Sequence, residues 1–340
     1  MRKFVLLAGL ALMWLAAQAT AYEIEDRRSF GPDGASRTLR IISTGDASLF
    51  EPILTSFLQS EPNLRIDYVV ASSTQLSRAI HEDGAVMDVA LSSAMDLQTK
   101  LVNDGYALPH RSNATSSLPT WARWRDHLFA FTQEPAAIVL NRAAFDGLPM
   151  PRTRQDLIAL MRANPDRFEG RVGTYDVRQS GLGYLFATQD ARSSETYWRL
   201  TEVMGGLGVK LYCCSGLMID DVVTGDLAVA YNVLGSYAQA RPEETQIEVL
   251  LPEDFTTVML RTAFIPASSE LPDIAGRFID HLVTRQWDNA PGLSQVFEGA
   301  ELTRDDQALR RIRLGPGLLV FLDGFKKQAF FEEWRSAVLQ

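Results

Sequence analysis

The chain has 340 residues, 46% hydrophobic and 22% charged, with a formal net charge of -9. That length exceeds what one hydrophobic core ordinarily serves and predicts two lobes. The acidic balance argues against nucleic acid or an anionic membrane surface as partner, since both reward a basic face; a small anionic ligand stays open, because a pocket's local field can oppose the net charge.

Residues 1–21 read as a targeting signal. Arg2 and Lys3 precede an apolar run over 4–17, and Ala17, Ala19 and Ala21 supply two small-x-small cleavage patterns. The run is shorter than the roughly 20 residues that span a bilayer. A cleaved signal, export to the periplasm and a free, soluble, monomeric mature protein are expected. No Cys follows the run to carry a lipid anchor. Removing 1–21 takes away two basic residues and no acidic one, which leaves -11.

After a polar stretch over 22–36, strand and helix signals alternate. Residues 39–43 read as a strand and Thr44, Gly45 and Asp46 as its turn. A helix follows from near Ser48, with Glu51 at capping-box spacing and Leu49, Ile53, Leu54, Phe57 and Leu58 on one face. The unit repeats: strand 64–71, the turn Ser72, Ser73 and Thr74, and a helix through Ile80; then strand 87–91, Ser92 and Ser93, and a helix to about Asn103. Strands that each feed a helix predict a parallel sheet whose binding edge lies at the strand C-termini. Two strands, 127–131 and 136–141, are expected around Gln133, Glu134 and Pro135.

A second α/β region comes next: helix 153–163, strand 171–175, and Arg178, Gln179, Ser180 and Gly181 opening a helix to about Thr188. Helix 194–204, strand 209–212 and a helix from Ser215 to about Thr224 follow. Strand 227–232 leads to Gly235, Ser236 and Tyr237. Strands 247–251 and 257–265 then return, and the tail reads as helices 272–283, 303–312 and 325–339.

The chemistry-bearing feature is a strand that hands over to a helix through small hydroxyl or glycine residues: Ser72 and Ser73, Ser92 and Ser93, Ser180 and Gly181, Ser215 and Gly216, with Thr44 and Gly45 as a fifth. The first turn of a helix leaves N–H groups unpaired and carries partial positive charge. Several such ends facing one cleft make an anion site; singly, each is an ordinary N-cap. Asp46 would repel an anion unless it takes a ligand hydroxyl. Arg178, two residues before Ser180, is either a fork for phosphate or carboxylate or a surface arginine. Glu134 pairs with a ligand hydroxyl or a neighbouring basic residue.

No nucleophile elbow, zinc-protease helix, Walker loop or dinucleotide fingerprint occurs, so neither catalysis nor a cofactor or metal is expected. The four histidines are dispersed. Cys213 and Cys214 are adjacent and read as two free thiols or small buried side chains, since neighbours close only a strained ring.

Residues 171–190 (RVGTYDVRQSGLGYLFATQD), 225–239 (GDLAVAYNVLGSYAQ) and 134–141 (EPAAIVLN) resemble periplasmic solute-binding proteins of ABC importers, in the ferric-ion and phosphoglycerate branch. The resemblance implies an α/β, two-lobed type II periplasmic-binding fold hinged on crossover strands, with 136–141 and 257–265 as suitable hinges. Lobe 1 would be 38–132 plus about 250–295, and lobe 2 would be 133–249 plus about 296–340. It further implies capture of a small phosphorylated or carboxylated ligand by lobe closure, and delivery to a membrane ABC permease or presentation to the periplasmic domain of a sensor kinase. Ferric-binding members use adjacent tyrosines; here Tyr231 is followed by Asn232, and the next tyrosine is Tyr237. Tyr231, Asn232 and Tyr237 are expected either to hydrogen-bond the ligand or to pack at a strand end.

Overall fold

The computed structural model describes residues 22–239, 245–284 and 309–340. The proposed signal, the lobe boundary near 295 and most of the helix expected at 303–312 lie outside the described residues. Among the described residues no helix is long and apolar enough to cross a membrane.

The first part of the chain builds β1 (Asp26–Phe30), β2 (Arg37–Ser43), β3 (Leu64–Val70) and β4 (Val89–Ser92), with helices α1 (Ala47–Ser60), α2 (Ser73–His81) and α3 (Met95–Asn103) following β2, β3 and β4. β2 runs parallel to β3 and β4, as the repeated strand–helix pattern predicts. β1 was not legible: it pairs antiparallel with β3 at the sheet edge, and its three exposed central residues show no apolar alternation. The N-cap of α1 is Asp46 rather than Ser48, and no side-chain cap bond forms there.

Short elements β5 (Ala107–Leu108), α4 (Asn113–Ser117) and β6 (Arg123–Trp124) lead into β7 (Leu128–Asn141). The two strands expected around Pro135 are one continuous strand. Pro135 stands opposite Val258 of β12 and just past the last β7–β10 pair, Ala136 with Leu234, where that ladder ends.

The second part comprises α5 (Arg154–Ala163), α6 (Pro165–Phe168), β8 (Val172–Tyr175), α7 (Gly181–Ser193), α8 (Thr196–Gly206), β9 (Lys210–Tyr212), α9 (Ser215–Thr224), β10 (Val229–Leu234), α10 (Gly235–Gln239) and β11 (Ile247–Leu250). β12 (Thr256–Pro266) returns to the first part, followed by α11 (Pro272–Val283), β13 (Leu309–Arg311) and α12 (Gly324–Val338). The tail helix expected at 303–312 is corrected at its end: Leu309–Arg311 is a strand parallel to the start of β12, whose edge supplies the backbone partners.

The sheet path is β1-β3-β2-β4-β12-β7-β10-β8-β9. The two longest strands, β7 and β12, pair antiparallel at its centre. β12 holds β4 on its other side and β7 holds β10, so these two strands carry the connection between the halves.

Apolar packing follows this division. Leu39, Ile41, Phe50, Phe57 and Phe278 share one buried cluster, and Leu157, Phe168, Leu200, Met204 and Trp334 share another. A third cluster draws Ile42 and Met95 together with Leu182 and Val233, so the halves touch through apolar side chains as well. α12 lies against α8 at Gly205, where any Cβ would stand 2.3 Å from the Ala337 carbonyl oxygen. A side chain there would push the tail helix away.

Candidate functional site

Five helix starts open on one cleft of about 390 Å³. Asp46, Ser72, Ser93, Ser180 and Ser215, at or beside the first residues of α1, α2, α3, α7 and α9, all line it. The volume lies at the lower end of the roughly 300–1,000 Å³ typical of small-molecule pockets.

Local chemistry explains why the turns form. The Ser72 hydroxyl accepts from Gln75 N at 3.3 Å and the Ser180 hydroxyl from Gly183 N at 3.1 Å, each satisfying a first-turn donor. Thr44 Oγ1 accepts from Ser93 N at 3.2 Å, which ties the β2 turn to the β4 turn. Ser215 Oγ lies 2.5 Å from the Tyr175 hydroxyl and accepts from Leu234 N at 3.0 Å. These bonds set the wall of the cleft and hold the first turns in place.

The two halves meet beside the cleft. Gly181 N donates to Ser73 Oγ at 3.0 Å, and Thr74 Oγ1 donates to the Gln179 carbonyl at 3.2 Å. A Cβ at Gly181 would stand 2.6 Å from Ser73 Oγ and 2.7 Å from Leu97 Cδ1, so glycine permits this approach. Opposite, the Asp46 backbone hydrogen-bonds the Tyr237 hydroxyl.

Of the residues expected to bind ligand, Thr44, Ser72, Ser73, Ser93, Ser180, Ser215 and Tyr237 line the cleft. Gly45, Ser92 and Gly181 stand just behind its surface. The Gly45 carbonyl accepts from the Tyr68 hydroxyl at 2.8 Å, Ser92 Oγ accepts from Ala94 N at 3.1 Å, and Gly181 faces Ser73.

Three expected positions, Arg178, Tyr231 and Asn232, are not among the residues lining the cleft. Arg178 turns back on Asp176, with Nε 2.8 Å from Oδ1 and Nη2 2.7 Å from Oδ2, and its guanidinium lies over the Trp334 ring. Tyr231 and Asn232 both donate to Asp190 Oδ2, at 2.7 and 2.8 Å. Arg154 Nε donates to the Tyr231 hydroxyl at 2.7 Å, and Thr257 Oγ1 donates to Asp190 Oδ1 at 2.9 Å. The strand alternation sends Tyr231 into the second apolar cluster, away from the cleft. Asn232 takes the left-handed conformation, φ 62°, where the β7–β10 register shifts.

Glu134 also lies behind the floor and takes the basic partner. Arg261 Nε and Nη2 donate to its two oxygens at 2.9 and 3.2 Å. Burial pushes the Glu134 carboxyl up, but the Arg261 guanidinium and the Ser236 and Thr132 hydroxyls outweigh it and leave the group below the usual range.

Other lining residues had gone unread: Glu25, Tyr175, Gln179, Cys213, Cys214, Leu217 and Asp220. Tyr175 and Gln179 had a usable signal, since one ends a strand and the other precedes Ser180. Glu25 had none, because nothing in the leading polar stretch marks its pairing with β3. Cys213 and Cys214 bring their sulfurs within 2.6 Å. Burial, then the bond and charge of Cys213, push the Cys214 thiol up to about 12.

Among the described lining residues there is no Lys, Arg or His, while Glu25, Asp46 and Asp220 are acidic. Among these lining residues the positive contribution is that of peptide dipoles at the helix starts, set against the three carboxylates. Among the described residues no group of three or more His, Cys, Asp or Glu side chains is placed to hold a metal ion.

Residues 85–292 match the family model described as bacterial extracellular solute-binding protein. No curated protein sequence matches the chain. Among solved structures, the fold is similar to a substrate binding protein of an ABC transporter from Agrobacterium tumefaciens: TM-score 0.81, 29% identity, covering 93% of this chain and 98% of that one. It is also similar to AfuA from Actinobacillus pleuropneumoniae, a structure with fructose-6-phosphate bound (0.70, 14%, 89% and 99%). Iron-bound HitA from Pseudomonas aeruginosa shares the fold too (0.61, 15%, 88% and 99%). The family match spans most of the chain and the two-lobed fold agrees with it: the protein belongs to the bacterial extracellular solute-binding proteins, and its business is binding rather than catalysis.

Proposed function

We propose that this protein captures a small anionic metabolite in the periplasm and hands it to the membrane permease of an ABC importer. The observation that carries the reading is the convergence of five helix starts on one cleft, with no cation among the described lining residues. A phosphate or carboxylate accepts from first-turn N–H groups and from the Ser72, Ser73, Ser93, Ser180 and Ser215 hydroxyls. Each helix end contributes about 0.3–1 kcal/mol when exposed and up to roughly 2 when partly buried. Several together, with hydroxyl bonds, reach the scale of micromolar affinity, about 8 kcal/mol.

The three carboxylates narrow the ligand class. A bare inorganic anion meets Glu25, Asp46 and Asp220 as repulsion, whereas a phosphorylated sugar or hydroxy acid donates its hydroxyls to them. The fructose-6-phosphate held by AfuA is consistent with such a solute. The iron held by HitA fits less well, because Tyr231 is committed to Arg154 and Asp190.

In this reading residues 1–21 are the cleaved export signal and the mature protein is a monomer. Lobe 1 is 38–132 plus about 250–295, and lobe 2 is 133–249 plus about 296–340. β7 and β12 act as the hinge. The Ser73–Gly181 and Thr74–Gln179 bonds then form on closure around the solute.

Titration calorimetry with fructose 6-phosphate, 3-phosphoglycerate and citrate tests the site. Micromolar binding of at least one, abolished by Ser180→Asp or Ser215→Asp in variants that keep their circular dichroism, is the expected result. Unchanged affinity in both variants would remove the cradle. A tyrosinate-to-iron colour on adding ferric citrate would replace it with a metal site.

A further inference from the structure

We propose that Cys213 and Cys214 are a redox-active vicinal pair, which thiol–disulfide exchange with a low-molecular-weight disulfide closes into an eight-membered ring in the wall of the cleft. The two side chains come straight off the end of β9, and Cys214 is the N-cap of α9. Their sulfurs already face each other at 2.6 Å, and both line the cleft. Cys213 is exposed and Cys214 is partly covered, which divides the labour: Cys213 is the more accessible to an external disulfide, and Cys214 stands beside it to resolve the adduct.

The exchange balances in two steps. The Cys213 thiol loses its proton, and its sulfur attacks one sulfur of glutathione disulfide, forming a mixed disulfide and releasing one glutathione thiolate. The Cys214 thiol loses its proton and attacks Cys213 Sγ, forming the intrachain bond and releasing the second thiolate. Both thiolates take up the protons. The protein gives two electrons, and the glutathione disulfide is reduced to two glutathione molecules.

Such a ring does not serve as a staple. In the chain-entropy picture, stabilisation grows with the loop that a bridge closes, and neighbouring residues enclose none. Its effect is local. The ring constrains the peptide between Cys213 and Cys214, directly before Ser215, whose hydroxyl holds Tyr175 and Leu234 N. Gly216 and Leu217 follow in the cleft wall. Oxidation therefore resets the first turn of α9, where the wall offers its backbone donors.

This chemistry stands apart from which solute the cleft takes, so its test needs none. The full mature chain is incubated with glutathione disulfide, denatured, alkylated with iodoacetamide and weighed. The expected product is lighter by two hydrogens and takes no alkyl group; after dithiothreitol it takes two. Cys214→Ser should stop at a glutathione adduct on Cys213, and Cys213→Ser should stay unmodified. Two alkylated thiols in oxidised wild type, or a wild-type adduct that never resolves, would overturn the pair. Hydrogen exchange of the peptide over 213–218 reads the coupling: reduction should change its protection at least threefold in wild type and not in the Cys213→Ser, Cys214→Ser double variant. Equal protection in both redox states would overturn the link to the cleft.

Discussion

The cleft and the network behind β10 both gather polar groups, but with different residues. Described residues lining the cleft supply hydroxyls, backbone donors and three carboxylates, with no basic side chain. Behind β10, Arg154 and Asp190 are fully buried and joined through Tyr231. A second buried pair, Arg261 with Glu134, sits between β12 and β7. Charges buried this deeply must be paired, because leaving water costs several kcal/mol per ion. A site that must empty as well as fill is better built from groups that water can satisfy between ligands. The deeply buried arginine–carboxylate pairs lie outside the lining of the cleft, and in the proposed reading the serines of the cleft carry recognition.

The sharpest way to break that comparison is Arg154→Ala. It leaves Asp190 buried without its arginine, held by the Tyr231, Asn232 and Thr257 side chains. A loss of about 3–5 kcal/mol in urea unfolding is expected. A loss below about 1 kcal/mol would show that the network does not hold this half of the molecule together.

Asp96 tests the same rule with an unpaired group. It lies in the first turn of α3 and is 3% exposed, and burial raises its carboxyl to about 7, against the pull of the Leu97 and Asp96 backbone N–H groups and of Lys327. The unfolded carboxyl titrates near 3.8, so between these values the folded state binds the extra proton. Its stabilising contribution is complete below the unfolded value and is lost as pH rises through about 7. Asp96→Asn should flatten that decline and be more stable at pH 8 by up to about 4 kcal/mol. Identical slopes of stability against pH from 5 to 8 in wild type and variant would refute the assignment.

The smallest effect belongs to Arg178→Ala. The Arg178–Asp176 pair is over a third exposed on the arginine side. Its loss should cost less than about 1 kcal/mol and leave affinity for the best solute of the calorimetric series unchanged. A tenfold fall in affinity would return Arg178 to the site.

The amino-acid sequence by itself determined the alternation of strand and helix, the Ser- and Gly-rich handovers and the α/β class. All of these are local: apolar period, cap chemistry and turn residues act within a few positions. Ser72 and Ser180 cap their helices as the local pattern implies. Only the tertiary structure decided which side of β10 Tyr231 would face, that Arg178 folds back on Asp176, that Glu25 reaches the cleft through an edge strand, and that Leu309–Arg311 pairs with β12. Most of those outcomes depend on partners more than forty positions away or on which sheet face becomes core. Arg178 has a near partner in Asp176, but the Trp334 ring it lies over comes from the tail helix. One residue of register changes the answer while the local pattern stays the same.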